Sequence, residues 1–411
     1  MFVIKRIGDQ LSYIMLHVDD LFTGSTSSAM VDQLETHLKT TYQVNGITMQ
    51  RDSDIYTYLN INIKFNRDEN GDKDGSVSLS QQDYFSKLIN AHAHIIPLGE
   101  KKYPHVALSV NQDDTPGCSN PLLTQALFLS IVMSVYWGAK RTRLDVLYTV
   151  SYLSTRTNIA NDQDWITLLH LLMYIRSTLR YMNTLKLQGD RQVIIFVDSS
   201  MNLYRDMKGH GGFVLSLGTH GFCGIIEGVS KKHKSNCRSS MEYELNQLHD
   251  CLPSAIYMWR FTNELYGREK NPVPIILLED NQSVMKLLPR GLVNSGNTTK
   301  HIDAKLYYAM DLVKEGILTI KYCPTDMMLA DIMTKPLVGE TFTRLTSILQ
   351  NNIPDVVRDK IFKSIFEGTY SKSKEISDIE AKVQKMISMS IEKEYELQVV
   401  LTKLEKSNLS D

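Results

Sequence analysis

Apolar and polar positions along the chain assign most of its elements. "LSYIMLHVDDLFTGS" is an apolar run broken by two acids and closed by Gly24 and Ser25, a pattern that predicts strand, turn, strand. "SSAMVDQLETHLKTTYQV" follows, with Met30, Leu34, Leu38 and Tyr42 at helical spacing. "IYTYLNINIKFN" alternates as a strand, "NRDENGDKDGS" is a polar turn, and "SVSLS" returns as the partner strand of a hairpin. "QQDYFSKLINAH" reads as a short helix, and a loop runs from about residue 97 to 120. The middle is helical, with three helices expected over "PLLTQALFLSIVMSVYWGAK", "RLDVLYTVSYLSTRT" and "DQDWITLLHLLMYIRSTLRYM".

The period changes near residue 190. "RQVIIFVDSS" is a strong strand, and "GHGGFVLSLGTHGFCGIIEGVSKK" reads as two strands around a turn at Gly218–Gly221. A helix from about Ser240, a strand in "PVPIILLEDNQ", helices over 282–290 and 302–314, a strand in "ILTIKYCPT" and a further helix complete an α/β domain with a mixed sheet. Beyond about residue 350 the chain is charged and lacks Gly and Pro from "SKSKEISD" onward. Two readings stand there: an amphipathic helix, or a solvated tail that packs on little.

Composition narrows this picture only slightly. The 411 residues are 43% hydrophobic and 22% charged, with a formal net charge of −1, so nucleic-acid binding must be argued from local patches. The start, "MFVIKRIGDQLSY", lacks the long apolar stretch of a signal peptide, no run approaches the length needed to span a bilayer, and no membrane partner is expected. The five scattered cysteines show no C-x-x-C, which argues against a zinc ribbon or a disulfide framework and fits a reducing compartment.

The chemistry-bearing residues of the second half are acids. Asp198 ends the strand "VIIFVD", Glu242 lies in the first turn of the helix at "SSMEYEL", Asp280 ends "IILLED", and Asp331 lies in the helix of "MLADIMTKP". Strand ends and helix starts at one sheet edge are where α/β folds build sites. Carboxylates sharing a small volume repel unless cations neutralise them, so such a cluster is a candidate Mg²⁺ or Mn²⁺ site. Each acid also has a plain structural reading. Asp198 can end a turn, Glu242 can close a capping box with Ser239, Asp280 can begin an Asx-turn, and Asp331 can be an exposed helix acid.

"VDSS", "SSMEYEL", "EDNQS", "TKHIDAK" and "YCPTDMMLADIMTKPL" together resemble the ribonuclease H domain of copia-type LTR retrotransposon Pol polyproteins. The likeness runs from about residue 5 to about 350. "LHVDDLFTGSTSSAMVDQLETHLKTTYQV" is similar to the family's polymerase palm motif, and the segments after it to its hairpin and connecting helices. The resemblance implies a ribonuclease H-like mixed sheet over 188–349, preceded by a partial reverse transcriptase over 1–98 (palm remnant and thumb) and a helical connection over 99–187. A charged, helical tail over 350–411 follows. It implies that Asp198, Glu242, Asp280 and Asp331 hold two Mg²⁺ ions, or Mn²⁺, and cut the RNA strand of RNA–DNA hybrids. Glu244 and Glu279 are the near neighbours left aside. A catalytically dead remnant that only binds nucleic acid or a partner is the alternative. The resemblance further implies work in the cytoplasm, inside a virus-like particle, or in the nucleus.

Asp19 and Asp20 resemble half of a polymerase metal site. The family's further acid comes from a strand well upstream, whereas only Asp9 precedes this pair here, in a turn of the same hairpin. The pair is therefore expected to be vestigial in this chain, with any missing palm and fingers supplied by a separate chain. His17 replaces the family's usual Tyr, and Asn60 and Leu144 stand where Gly and Pro are usual.

Lys231, Lys232, Lys234 and Arg238 in "SKKHKSNCR" are candidates for contact with a nucleic-acid backbone, or a solvated basic loop. "GHGGF" lacks a Walker lysine and reads as a turn into a strand, and His210, His233 and His301 have no metal-ligand spacing. Tyr204 and Tyr307 are expected to pack rather than to stack on bases, and the tail is a candidate for self-association.

Overall fold

The computed structural model describes residues 2–42, 50–51, 53–106, 115–186, 191–218, 223–290, 300–351 and 355–368. The chain divides into two compact units, Met1–Gln81 and Gln82–Asp411.

In the first unit, β1 (Phe2–Ile7), β2 (Gln10–His17) and β3 (Asp20–Ser25) form an antiparallel meander, followed by helix α1 (Ser28–Tyr42). The predicted strand–turn–strand over "LSYIMLHVDDLFTGS" is β2 and β3, paired from Ser12↔Ser25 to His17↔Asp20. The turn between them puts Val18 at φ 57°. A β-branched residue is strained there, since only Gly, Asn and Asp enter that region readily.

"IYTYLNINIKFN" is not one strand but two, β4 (Ile55–Tyr58) and β5 (Ile61–Arg67), with β6 (Lys73–Ser80) pairing antiparallel to β5. The break falls at Leu59 and Asn60, with φ 50° and 59°. Two successive left-handed residues make the tight hairpin turn whose twist matches its strands. The alternation ran through this turn because neither residue is Gly or Pro. Phe22 joins the two small sheets, with its ring centroid 5.7 Å from that of Tyr58 and 6.3 Å from that of Tyr56.

The second unit begins with helices α2 (Gln82–Ala91), α3 (Gln125–Ala139), α4 (Leu147–Ser154) and α5 (Asp162–Ser177), then the short strand β7 (Asn183–Lys186). Asn161 caps α5 in a full capping box with Asp164, so the helix starts where its apolar period does. The mixed sheet follows: β8 (Val193–Ser200), β9 (His210–Leu217), β10 (Ile225–Lys232), helix α6 (Ser240–Leu265), β11 (Ile275–Glu279), α7 (Gln282–Arg290), α8 (Lys300–Lys314) and β12 (Leu318–Tyr322). Helices α9 (Asp331–Thr334), α10 (Gly339–Leu349) and α11 (Asp355–Glu367) close the described chain. The sheet order is β10–β9–β8–β11–β12; β10, β9 and β8 run antiparallel, and β8, β11 and β12 parallel.

Alternation along β8 feeds two cores. Val193, Ile195 and Val197 join residues of α6, α7 and α8, including Leu248, Leu252, Val284 and Leu306. Ile194 and Phe196 face the other way, into a core that also holds Phe128, Leu147, Leu171, Met333, Leu345 and Phe362. The helices before the sheet and those after it therefore share one apolar interior. A buried ion pair lies in the same region. Arg143 donates to both oxygens of Asp145 at 2.9 Å each, and the Tyr174 hydroxyl donates to Asp145 at 2.8 Å. Of the charged tail, Gln350, Asn351, α11 and Gly368 are described. Ile361, Phe362 and Ile365 are buried, and the Lys321 ammonium donates to the Phe366 carbonyl at 2.7 Å. That part of the tail packs, and the rest lies outside the described residues.

Candidate active site

Parallel β8 and β11 end at the same sheet edge, where Asp198 sits near the end of one and Asp280 directly after the other. Asp198 pairs across to Gly212 of β9. A Cβ added at Gly212 would lie 2.5 Å from the Met333 Cβ and 3.0 Å from the Thr334 Cγ2. The glycine thus lets α9 lie directly on the sheet, and α9 brings Asp331, Thr334 and Lys335 to Asp198. "GHGGF" accordingly serves helix–sheet approach from within a strand.

Contacts at Asp198 are close. The Thr334 hydroxyl donates to its Oδ2, and the Lys335 ammonium lies 3.3 Å from its Oδ1. The same ammonium donates to Asp331 Oδ1 at 2.7 Å. On the β11 side, the Thr325 hydroxyl donates to Asp280 Oδ2 at 3.1 Å, and the Asn281 N–H donates to Glu279 Oε1 at 3.0 Å.

The helix acid beside this cluster is Glu244, not Glu242. Glu244 is only 4% exposed, its Oε2 has no hydrogen-bond partner, and it lies near enough to Asp198, Glu279 and Asp280 to feel their charge. The Glu242 carboxylate turns back to accept the Arg238 N–H at 2.7 Å, while the Ser239 hydroxyl accepts the Glu242 N–H at 3.3 Å. Ser239 thus caps the helix, and the Glu242 side chain meets the N–H of the residue before the cap rather than closing a capping box with Ser239. Two residues along a helix turn by about 200°, so one acid faces the sheet and the other does not. A signal for this lay in the sequence: Glu244, Leu248, Cys251 and Ala255 form one helical stripe, and Glu242 is off it.

Burial and mutual repulsion raise the acids of this edge. Burial foremost, then Asp198, pushes Asp331 up to about 7 and Asp280 above the usual carboxylate range. Burial does the same to Glu244, with Asp198 next in strength, and to Glu279, where Asp280 adds to it. Burial works against the Lys335 charge, yet Asp198 and Asp331 hold it protonated more firmly than an ordinary lysine.

Among the described residues, no group of three or more acids, histidines or cysteines stands ready-made around a metal ion. The donor set nevertheless fits a hard divalent cation: it is all carboxylate oxygen, drawn from β8, α6, α9 and the end of β11, with a buried oxygen of Glu244 left unpaired.

The remaining candidates are placed differently. Asp19, on the β2–β3 turn, and Asp20, at the start of β3, are exposed. Asp9 lies at the opposite end of β2, whose eight residues span about 26 Å. Lys231 pairs with Asp250 at 2.8 Å, and Lys232 with Asp206 at 2.9 Å while lying over the Tyr204 ring. Lys234 and Arg238 are exposed. Tyr204 is buried and its hydroxyl meets His210 Nδ1 at 2.6 Å, whereas Tyr307 is half exposed. His210 is fully buried between Tyr204 and Ser230, and His233 bonds Ser199, so both histidines are structural. The His301 side chain lies outside the described residues.

A five-stranded sheet ordered around a central β8, antiparallel on one side and parallel on the other, with acids at the β8 and β11 ends, defines a ribonuclease H-like α/β fold. No protein-family model matches the chain. Its relatives are Pol polyproteins of copia-type transposons. It is 26% identical over 348 residues to the retrovirus-related Pol polyprotein from transposon RE2 of Arabidopsis thaliana, covering 83% of this chain and 22% of that protein. It is 24% identical over 344 residues to the transposon Ty1-NL2 Gag-Pol polyprotein of Saccharomyces cerevisiae, covering 81% of this chain and 19% of that one. The chain thus spans about a fifth of the length of these relatives. Among solved structures, RNase H1 from Halobacterium salinarum is similar over 35% of this chain and 94% of its own, with 18% identity and a TM-score of 0.24. The foamy viral protease-reverse transcriptase in complex with dsDNA is similar over 35% of this chain and 92% of that chain, with 18% identity and a TM-score of 0.26. Among the described residues no helix is long and apolar enough to cross a membrane.

Proposed function

We propose that this chain is a retrotransposon-derived fragment of a reverse transcriptase/ribonuclease H, and that its 188–349 segment cuts the RNA strand of RNA–DNA hybrids. On this reading residues 1–98 are a partial reverse transcriptase, 99–187 its helical connection and 350–411 a tail. The observation that carries the reading is the buried Glu244 carboxylate, with its Oε2 left without a hydrogen-bond partner, close enough to Asp198 and Asp280 to feel their charge. That arrangement is costly without a cation and useful with one.

Asp198, Glu244, Asp280 and Asp331 are the residues that hold the cations, Mg²⁺ or Mn²⁺. Bound divalent ions supply a water nucleophile at neutral pH and stabilise the departing oxygen of a phosphodiester. Thr334 and Thr325 fix the orientations of Asp198 and Asp280 through their hydroxyls. Glu242 sets the start of α6 rather than touching the reacting phosphate. Lys234 and Arg238 contact the hybrid backbone, while Lys231 and Lys232 are partly spent on Asp250 and Asp206. Asp19 and Asp20 resemble half of a polymerase metal site; among the described residues no third acid is grouped with them, so no DNA synthesis is expected from this pair. Such a protein works in the cytoplasm or the nucleus.

The test is cleavage of a labelled RNA–DNA hybrid by the purified full chain in Mg²⁺ and in Mn²⁺. Cutting of the RNA strand that is lost in Asp198→Asn is expected. A hybrid left intact in both metals, or cut equally well by that variant, overturns the proposal. Extension of a primer on an RNA template by this chain alone overturns the statement about Asp19 and Asp20.

A further inference from the structure

The acid cluster contains a cation of its own. Lys335 follows α9 directly, and its ammonium spans Asp331 Oδ1 at 2.7 Å and Asp198 Oδ1 at 3.3 Å. Thr334 takes the other oxygen of Asp198. Both carboxylates are buried, whereas the Lys335 side chain is about a third exposed. The two acids are therefore fixed by the packing of α9 on Gly212, while the four-carbon stem of the lysine has an open path to solvent. A divalent ion held by these two carboxylates would need the space that the ammonium fills, and its charge would repel the lysine.

We propose that Lys335 is a displaceable counter-ion of the Asp198–Asp331 pair, which a divalent cation must expel to enter the site. The proposal rests on the metal reading above and adds a role for a residue outside the acid set. Without metal, the lysine neutralises the pair and keeps α9 seated on the sheet. With metal, it swings outward, where its charge faces the phosphates of a bound hybrid. The lysine sets the metal concentration at which the site loads, and loading becomes easier when a polyanion is present to receive the released ammonium.

Two measurements on the full chain test this without using cleavage. In the first, Mn²⁺ binding is followed by calorimetry or by loss of the free-ion paramagnetic resonance signal. Lys335→Gln is expected to bind Mn²⁺ about tenfold more tightly than wild type, the scale of a single displaced charge. Lys335→Arg, which keeps a cation, is expected to stay near wild type. In the second, the wild-type chain is treated with an acetylating reagent and Lys335 is read by mass spectrometry. Its acetylation is expected to rise several-fold when saturating Mn²⁺ is added. Equal or weaker Mn²⁺ binding by Lys335→Gln, or Lys335 reactivity that Mn²⁺ leaves unchanged, overturns the counter-ion role and leaves the metal site standing. The acetylation arm decides the matter if Lys335→Gln fails to fold. Absence of Mn²⁺ binding to every form sinks the metal reading and this proposal with it.

Discussion

Two groups of acids in this chain invite the same chemical reading and live in opposite surroundings. Asp19 stands exposed on a two-residue hairpin turn beside a strained Val18, and Asp20, equally exposed, opens β3. Asp198, Glu244 and Asp331 are buried at a sheet edge, with half-buried Asp280 and a lysine among them. Adjacent acids in water can stay charged and apart. Buried acids on three elements can only remain charged if something positive comes between them. Convergence from distant segments, rather than adjacency in sequence, is what turns carboxylates into a site.

The comparison breaks most decisively at Asp198. Asp198→Asn is expected to lower hybrid cleavage by about 10³-fold or more, the scale of losing a ligand common to the reaction centre. If cleavage survives that change, the buried cluster is not the site. The next test separates neighbours on one helix. Glu244→Gln should cost about 10²-fold, while Glu242→Gln, which keeps an acceptor for the Arg238 N–H, should stay within about threefold and leave the melting temperature nearly unchanged. The opposite ranking would return the role to Glu242.

A pH series sharpens the contrast further. Asp331 at about 7 and Glu279 at about 8 keep protons in the folded chain that the unfolded chain has already released. His105 and His233 at about 4 and His210 at about 3 act in the opposite sense, because the unfolded chain holds their protons until pH passes their ordinary 6.5 by about a unit. Metal-free stability should therefore fall as pH rises from about 7.5 to 8.5, where only the raised acids still titrate. Saturating Mg²⁺ should flatten the slope, and a melting temperature that rises through this window without metal contradicts the assignment. The smallest effect belongs to the exposed pair: Asp19→Asn with Asp20→Asn should leave hybrid cleavage unchanged within error. A large loss there would couple the two regions in a way their surroundings do not suggest.

Much of this was legible in the residues, for reasons that also mark where legibility ended. Strands with a two-residue period and helices with an apolar stripe announced themselves, as did the acids at strand ends. The hairpin inside "IYTYLNINIKFN" did not, because Leu59 and Asn60 adopt turn geometry without turn residues. Strand order was beyond periodicity, since β11 pairs with β8 only after the whole of α6 has intervened. Glu244 was in reach: an acid on the apolar stripe of α6 is an acid the sheet must bury. The role of Gly212 was not, because it depends on where α9 lands more than a hundred residues later.

The shared interior of the second unit has a consequence for how the chain folds and breaks. Ile194 and Phe196 complete their packing only with Phe128 and Leu147 from before the sheet and Leu345 and Phe362 from after it. Contacts so widely separated along the chain carry a large loop-closure cost, so they are expected to close late in folding. Heat should melt the helices and the sheet in one transition. A protease cut between α5 and β8 should loosen the acid edge without touching any of its residues.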